Sequence, residues 1–316
     1  MVYQLVSKLD KEKYNSHLLS LDASSNSLVS YFTESGIKVE TLDVHKNIFS
    51  TLSASKKLYS FLKKNQISII HAHLYHALVL AVLTKCIIPS LKIIWTSHSS
   101  RQATFIRNMI VFLMRPLRKR DILFYADMKT WYAKNSYSII PNGVELPKIK
   151  QDIAKYDTFT FISVGRLETV KNHQLLIKLF ARLSHVNCNL HIVGSGPEHS
   201  SLDTAINELN LGAKVQLMGY RDNVAELISK SHCFLLPSLR EGLPLVILES
   251  ALCKVPIITS SQSISAMLIE KNEGYVTNLA NFENTMLEVI NNYETARIKA
   301  EKLYIKVKQH YSLESC

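Results

Sequence analysis

Twelve short apolar runs recur along this chain of 316 residues, and segments of helical periodicity separate most of them from the next. That alternation constrains the fold more than any other feature. A strand followed by a helix before the next strand calls for a crossover connection, so the strands lie parallel and the helices cover the sheet faces. In the first half the strand candidates are residues 17–21, 37–42, 67–71, 92–96, 122–125 and 138–140. In the second they are residues 158–164, 189–193, 214–218, 233–236, 256–259 and 274–276. Between the two sets lie the turn Pro141-Asn142-Gly143-Val144 and a polar stretch from Lys148 to Tyr156. The pattern predicts an α/β protein of two domains, 1–147 and 148–316, and the length suffices for two ordinary cores.

The second half carries most of the chemistry. Pro237-Ser238-Leu239-Arg240-Glu241-Gly242-Leu243-Pro244 follows a strand candidate and leads into Leu245-Val246-Ile247-Leu248-Glu249-Ser250-Ala251-Leu252. Pro244 suits the first position of a helix, where its missing N–H is no loss. The helix is apolar on nearly every side and should be buried. Glu249 therefore needs a donor partner or a ligand. The free amides of Gly242, Leu243 and Leu245 would form an anion site at the positive end of the helix dipole. Taken alone, two glutamates at this spacing also fit a capping Glu241 and a core Glu249.

Upstream, Phe159-Thr160-Phe161-Ile162-Ser163-Val164 runs into Gly165-Arg166-Leu167, and Lys171-Asn172 opens a helix with apolar Leu175, Leu176, Leu179, Phe180 and Leu183. Arg166 and Lys171 thus stand at a strand's C-terminal end, where open α/β sheets bind ligands. Two cations beside a helix start suit a diphosphate. Val193-Gly194-Ser195-Gly196-Pro197 and Met218-Gly219-Tyr220-Arg221 repeat the strand-then-glycine pattern. Each glycine by itself reads as a turn residue, and the third glycine of a dinucleotide fingerprint is absent.

In this order, these pieces resemble the retaining glycosyltransferases of family 4, whose signature is a pair of glutamates with seven residues between. The resemblance covers nearly the whole chain, and its motifs are specific from Pro141 to about Ile258. It implies two Rossmann-like domains facing across a cleft, the GT-B fold. It further implies that Arg166 and Lys171, near Gly165, hold a donor diphosphate, that Glu241 holds hydroxyls of the donor sugar and that Glu249 holds the ribose. Gly194, Gly196, Gly219 and Tyr220 would lie near the nucleotide, with Gly242, Leu243 and Pro244 in the loop that binds it. His98, in Thr96-Ser97-His98, matches a histidine that contacts the donor sugar. Ile70-His71-Ala72-His73 resembles another strand-end element of the family.

The implied reaction moves a hexosyl unit from a nucleotide diphosphosugar to a glycan or lipid-linked acceptor, as in bacterial surface polysaccharide or lipopolysaccharide synthesis. Two readings stand beside it: a nucleotide-sugar epimerase of the same fold, and an inactive sugar-nucleotide-binding remnant. No cofactor and no metal are expected. No Asp-x-Asp occurs, and His71 and His73 have no acidic or cysteine neighbours to complete a metal site.

Charge adds a partner. The chain has 37 Lys and Arg against 26 Asp and Glu, and the whole excess lies in the first half, with 21 against 9 up to residue 150 and 16 against 17 beyond it. Its densest stretch, Arg107 to Arg120, mixes cations with bulky apolar residues. It reads either as a helix lying on an anionic membrane or as a core helix ending at Pro116 with a solvated basic tail. No motif for nucleic acid accompanies the charge. With no apolar stretch of membrane-spanning length, no export signal, and five cysteines mostly in apolar runs, the expected place is the cytoplasm, at the inner membrane face. The chain enters its first domain in a helix-like segment, 1–9, so that domain is expected to lack its first strand.

Overall fold

The computed structural model of the protein describes residues 2–21, 32–33, 36–44, 48–98, 104–124, 129–146, 153–241, 244–263, 266 and 268–313. They form two compact units, Met1–Pro141 and Asn142–Cys316.

The first unit runs α1 (Val2–Lys8), β1 (Leu18–Ser20), β2 (Val39–Thr41), α2 (Ile48–Lys64), β3 (Ile69–His73), α3 (Leu74–Ile87), β4 (Lys92–Thr96), α4 (Phe105–Leu113), β5 (Arg120–Leu123) and β6 (Tyr137–Ile139). Every strand pairing is parallel. The strands form two sheets, β1-β2 and β3-β4-β5-β6. In a doubly wound sheet the first strand lies between the second and the fourth. Here β1 and β3 take the places of those neighbours, and among the described residues no strand joins them. One apolar layer still serves both sheets: Leu58, Phe61, Leu62 and Leu80 pack with Leu19 of β1 and Ile70 of β3.

The basic stretch is not continuous in structure. It is not one helix from Arg107, because α4 stops at Leu113 and Pro116 sits in a 3-10 turn, Arg115–Leu117. Arg118 is no solvated tail residue either. It is buried, with its guanidinium 4.8 Å from the centre of the Trp95 ring, 3.3 Å from Asp121 and bonded to the Tyr132 carbonyl at 2.9 Å. Burial lowers its pKa to about 10, so it stays charged, and the aromatic face and carboxylate offset its lost hydration.

The second unit contains β7 (Phe159–Val164), α5 (His173–Arg182), β8 (Cys188–Val193), α6 (His199–Glu208), β9 (Val215–Gly219), α7 (Val224–Lys230), β10 (Cys233–Leu236), α8 (Leu245–Leu252), β11 (Ile257–Ser260), β12 (Tyr275–Thr277), α9 (Phe282–Asn291) and α10 (Tyr293–His310). Its six strands are parallel in the order β12-β11-β10-β7-β8-β9, the doubly wound arrangement. The core sits where the pattern placed it: Leu176, Ile177, Leu179 and Phe180 of α5 are buried, with Phe180 edge-on to Phe161 of β7. The turn at Pro141–Val144 is tied to the end of this unit, since Val144 N donates to Tyr311 O and Leu313 N donates to Val144 O. All twelve expected strands occur, with ends displaced by at most two residues.

The cysteines divide. Cys188 and Cys233 are buried, whereas Cys86 is exposed, because its place near the end of α3 faces away from the core. Among the described residues no helix is long and apolar enough to cross a membrane.

Candidate active site

The strand order of the second unit reverses between β7 and β10, and open sheets of this kind bind ligands outside the strand ends at that point. Three glycine turns finish the strands on one side of it. Gly165 N donates to Val193 O at 3.0 Å, Leu167 N to Ser195 O at 2.9 Å, and Gly194 N to Gly219 O at 2.9 Å. Gly194 has φ +142°, and a Cβ there would lie 1.9 Å from Gly165 O. A Cβ on Gly196 would lie 2.4 Å from Leu167 O. These two glycines are thus required by backbone packed on backbone. Gly219, with φ +67°, turns the chain toward the largely exposed Tyr220.

The loop after β7 folds as a 3-10 turn, Thr169–Lys171, and hands over to α5 through Asn172 in the left-handed region, which asparagine tolerates well. This carries the Lys171 side chain past Gly165, where a Cβ would stand 3.4 Å from Lys171 Cε. Lys171 Nζ lies 2.5 Å from Glu241 Oε1 in the loop after β10, and Ser238 Oγ donates to the same oxygen at 2.8 Å. The two loops are clamped in two further places: Leu239 N donates to Val170 O, and the Asn172 side-chain Nδ2 to Pro237 O. The Lys171 and Glu241 side chains are only 17% and 12% exposed, so little water screens them. Of the two expected cations, one joins the glutamate. Arg166 turns aside to Glu168, 2.7 Å away, with its own side chain 76% exposed. An exposed pair of this kind is worth about 0–1 kcal/mol and leaves the guanidinium easily redirected.

α8 buries Ile247, Leu248, Ser250, Ala251 and Leu252, as its composition required. Pro244 precedes the helix as its cap residue instead of opening it, because its ψ of 123° is extended. Glu249 is half-buried, burial raises its pKa, and its carboxylate is hydrogen-bonded to no described residue. Gly242 and Leu243 lie outside the described residues.

In the first unit, His98 follows β4, with its Nε2 3.1 Å from His73 Nδ1; His71 Nε2 lies 2.7 Å from Thr96 Oγ1. Each bond fixes a ring. Burial lowers His98 to about 4 and His73 to about 3. In the second unit it lowers His173, next to Lys171, to about 4. All three are neutral in the folded chain near pH 7, and they take up protons on unfolding below their ordinary value of 6.5. The stability they contribute is complete above pH 6.5 and is lost as pH falls from there toward 4. Buried His173 alone accounts for about 2 kcal/mol at pH 5. The urea midpoint should therefore be clearly lower at pH 5 than at pH 7.5; equal midpoints would refute the neutral assignments.

Among the described residues no three or more His, Cys, Asp or Glu are grouped to hold a metal ion. Sequence reasoning missed Ser238, Asn172 and His173. Ser238 carried a signal, since a hydroxyl three residues before a loop carboxylate can reach it. A lysine, a serine hydroxyl and a carboxylate held at a strand-end switch point can grip an anionic leaving group and orient a polyhydroxylated substrate.

Residues 147–309 match the family described as Glycosyl transferases group 1, and residues 1–147 match Glycosyltransferase Family 4. A Campylobacter jejuni protein named N-acetylgalactosamine-N,N'-diacetylbacillosaminyl-diphospho-undecaprenol 4-alpha-N-acetylgalactosaminyltransferase is 37% identical over 132 residues, covering 40% of this chain and 36% of its own. An Escherichia coli protein named UDP-Gal:alpha-D-GlcNAc-diphosphoundecaprenol alpha-1,3-galactosyltransferase is 26% identical over 296 residues, 84% of this chain and 76% of its own. The chain spans between about a third and a half of the length of the relatives it matches at 31–37% identity. In fold it is similar to Anabaena HepE, solved in complex with UDP and glucose, with a TM-score of 0.79 at 16% identity over 92% of this chain and 86% of that one. That likeness establishes the architecture, two Rossmann-like domains of the GT-B class.

Proposed function

We infer the activity from a premise the family matches supply: the chain belongs to the glycosyl transferases of group 1, with a family 4 domain ahead of it. It transfers a hexosyl unit from a nucleotide diphosphosugar to a glycan or lipid-linked acceptor, with retention at the anomeric carbon, in the synthesis of a bacterial surface polysaccharide or glycolipid. The Lys171–Glu241 pair at the switch point carries this reading. Two named relatives act on diphosphoundecaprenol-linked sugars, which favours a lipid-linked acceptor. HepE holds UDP and one relative uses UDP-Gal, which favours a uridine donor.

As the anomeric C–O bond breaks, negative charge develops on the diphosphate. Lys171 leaves Glu241 to meet that charge in a site with little water, and Arg166 leaves Glu168 to join it. Glu241, released, accepts bonds from hydroxyls of the donor sugar. Glu249 takes the ribose hydroxyls, which fits a half-buried carboxylate without a described partner. His98 keeps the sugar contact that the resemblance implies. The acceptor hydroxyl forms the new bond on the same face, and the leaving phosphate takes its proton. No metal enters this scheme. The enzyme works in the cytoplasm, with its basic first domain in peripheral contact with the anionic inner face of the membrane.

The test is a panel of nucleotide sugars, scored first by thermal shift and then for transfer to a polyprenyl-diphosphate-linked sugar. A donor that raises the melting point and yields an α-linked product from an α-linked donor is expected. Epimerised donor formed without acceptor, or binding without transfer, would overturn the assignment. Arg166→Ala should raise the donor KM and lower kcat by about tenfold at most, because its cation is shared with Glu168 and supported by Lys171; steady-state kinetics measure both.

A further inference from the structure

We propose that the outward face of α4, extended by Trp131, is the surface that inserts into the headgroup layer of an anionic bilayer. This gives the membrane contact proposed above a location and rests on that reading for its role. The helix is built the wrong way round for one that meets only water. Its inner side already packs on the core through Val111, which is wholly buried. Its outer side nevertheless carries Phe105, Ile106, Met109, Phe112 and Leu113, at the i, i+1, i+4, i+7 and i+8 spacing of a single apolar stripe. Phe105, Ile106 and Leu113 are 68%, 70% and 66% exposed. A helix with one face in the core would ordinarily put charges on that stripe.

Trp131 widens the stripe into a patch. Half exposed, it stands 5.4 Å from the Phe112 ring and 6.2 Å from that of Phe105. An indole at the edge of an apolar patch suits the boundary between headgroups and acyl chains. Beside it, Arg115 lies 5.2 Å over Phe112 and bonds the Trp131 carbonyl, and Lys119 and Arg120 are exposed just beyond. α4 has no acidic residue. This charge selects the occupant. A second copy of the chain docked here would bring like cations together, whereas an anionic leaflet would neutralise them while its acyl boundary takes up the apolar stripe.

The chain has two tryptophans, and Trp95 is buried against Arg118, so a change in tryptophan emission on binding reports Trp131. The whole chain should shift its emission to the blue and float with vesicles of phosphatidylethanolamine and phosphatidylglycerol, but not with pure phosphatidylcholine. Replacing Phe105→Ser, Ile106→Ser and Leu113→Ser together should cut partition at least tenfold and abolish the blue shift. These side chains are exposed, so the triple variant should keep its thermal shift with UDP. Equal flotation of variant and parent overturns the proposal. So does a parent that ignores anionic vesicles, or one that is a dimer in light scattering and is made monomeric by the triple variant. If neither protein responds to UDP while partition still falls, the donor reading fails and the membrane face stands.

Discussion

Lys171→Ala is expected to lower turnover by about a thousandfold, a loss near 4 kcal/mol of transition-state stabilisation. The size follows from placement. Lys171 Nζ is held 2.5 Å from Glu241 at the strand-order reversal, and neither side chain is more than one-fifth exposed. A cation kept this dry acts on developing charge with little screening, and no movement of solvent is needed at the moment of bond breaking. A structural role makes a competing forecast. Removing one member of a poorly hydrated pair strands the other, and loss of activity could follow from loss of fold. The double variant Lys171→Met with Glu241→Gln separates the two. It removes both charges and keeps the side-chain lengths, with Ser238 still able to bond the amide. Its melting point should return close to that of the parent while turnover stays at the floor. Recovery of activity along with stability would make the pair a fold clamp only. Turnover of Lys171→Ala within tenfold of the parent would remove the lysine from the chemistry altogether.

The legible parts of this chain are those written in local pattern. β-rich apolar runs ending in glycine marked the strand ends, and the 3.6-residue spacing of Leu176, Leu179 and Phe180 marked the inner face of α5. Glu241 and Lys171 were each visible beside a strand end. Their meeting was not a local property, because it is set by parallel pairing of β10 with β7 across some seventy residues. The same holds for Asn172 on Pro237 and for His98 on His73. Charge misled in one place. The run Arg118-Lys119-Arg120 looks solvated as a string, yet Trp95, remote in sequence, and Asp121, three residues on, supply an aromatic face and a carboxylate that draw Arg118 inside. Arg166 was placed at the right strand end, but its nearest acid, Glu168, captures it in the folded chain. The exposed stripe on α4 was readable only as a choice between core and membrane, because hydropathy does not say which side of a helix the rest of the protein covers.

Gly194→Ala should be the most damaging single-methyl change in the second unit, costing about 4 kcal/mol or more. The added Cβ would fall 1.9 Å from Gly165 O and 2.9 Å from Gly165 C, and the φ of +142° is itself hostile to any L side chain. Relief cannot come from a side chain swinging away, since the obstacle is the backbone at the end of β7. That backbone is pinned by the bond from Gly165 N to Val193 O, next to the substituted residue, and Gly194 N is itself bonded to Gly219 O. Three strand ends would have to separate, and Lys171, which passes over Gly165, would move with them. For a unit of this size the melting point should drop by roughly 8–16 °C. Gly212→Ala is the matched control: nothing lies within 4 Å of its added Cβ, and it should melt within a degree or two of the parent. If Gly194→Ala melts as Gly212→Ala does, the strand ends are not packed backbone to backbone, and the floor on which Lys171 is aimed at Glu241 is not rigid. A marginally folded Gly194→Ala chain at low temperature should also have lost its response to nucleotide, because the same displacement that relieves the clash takes the lysine off its partner.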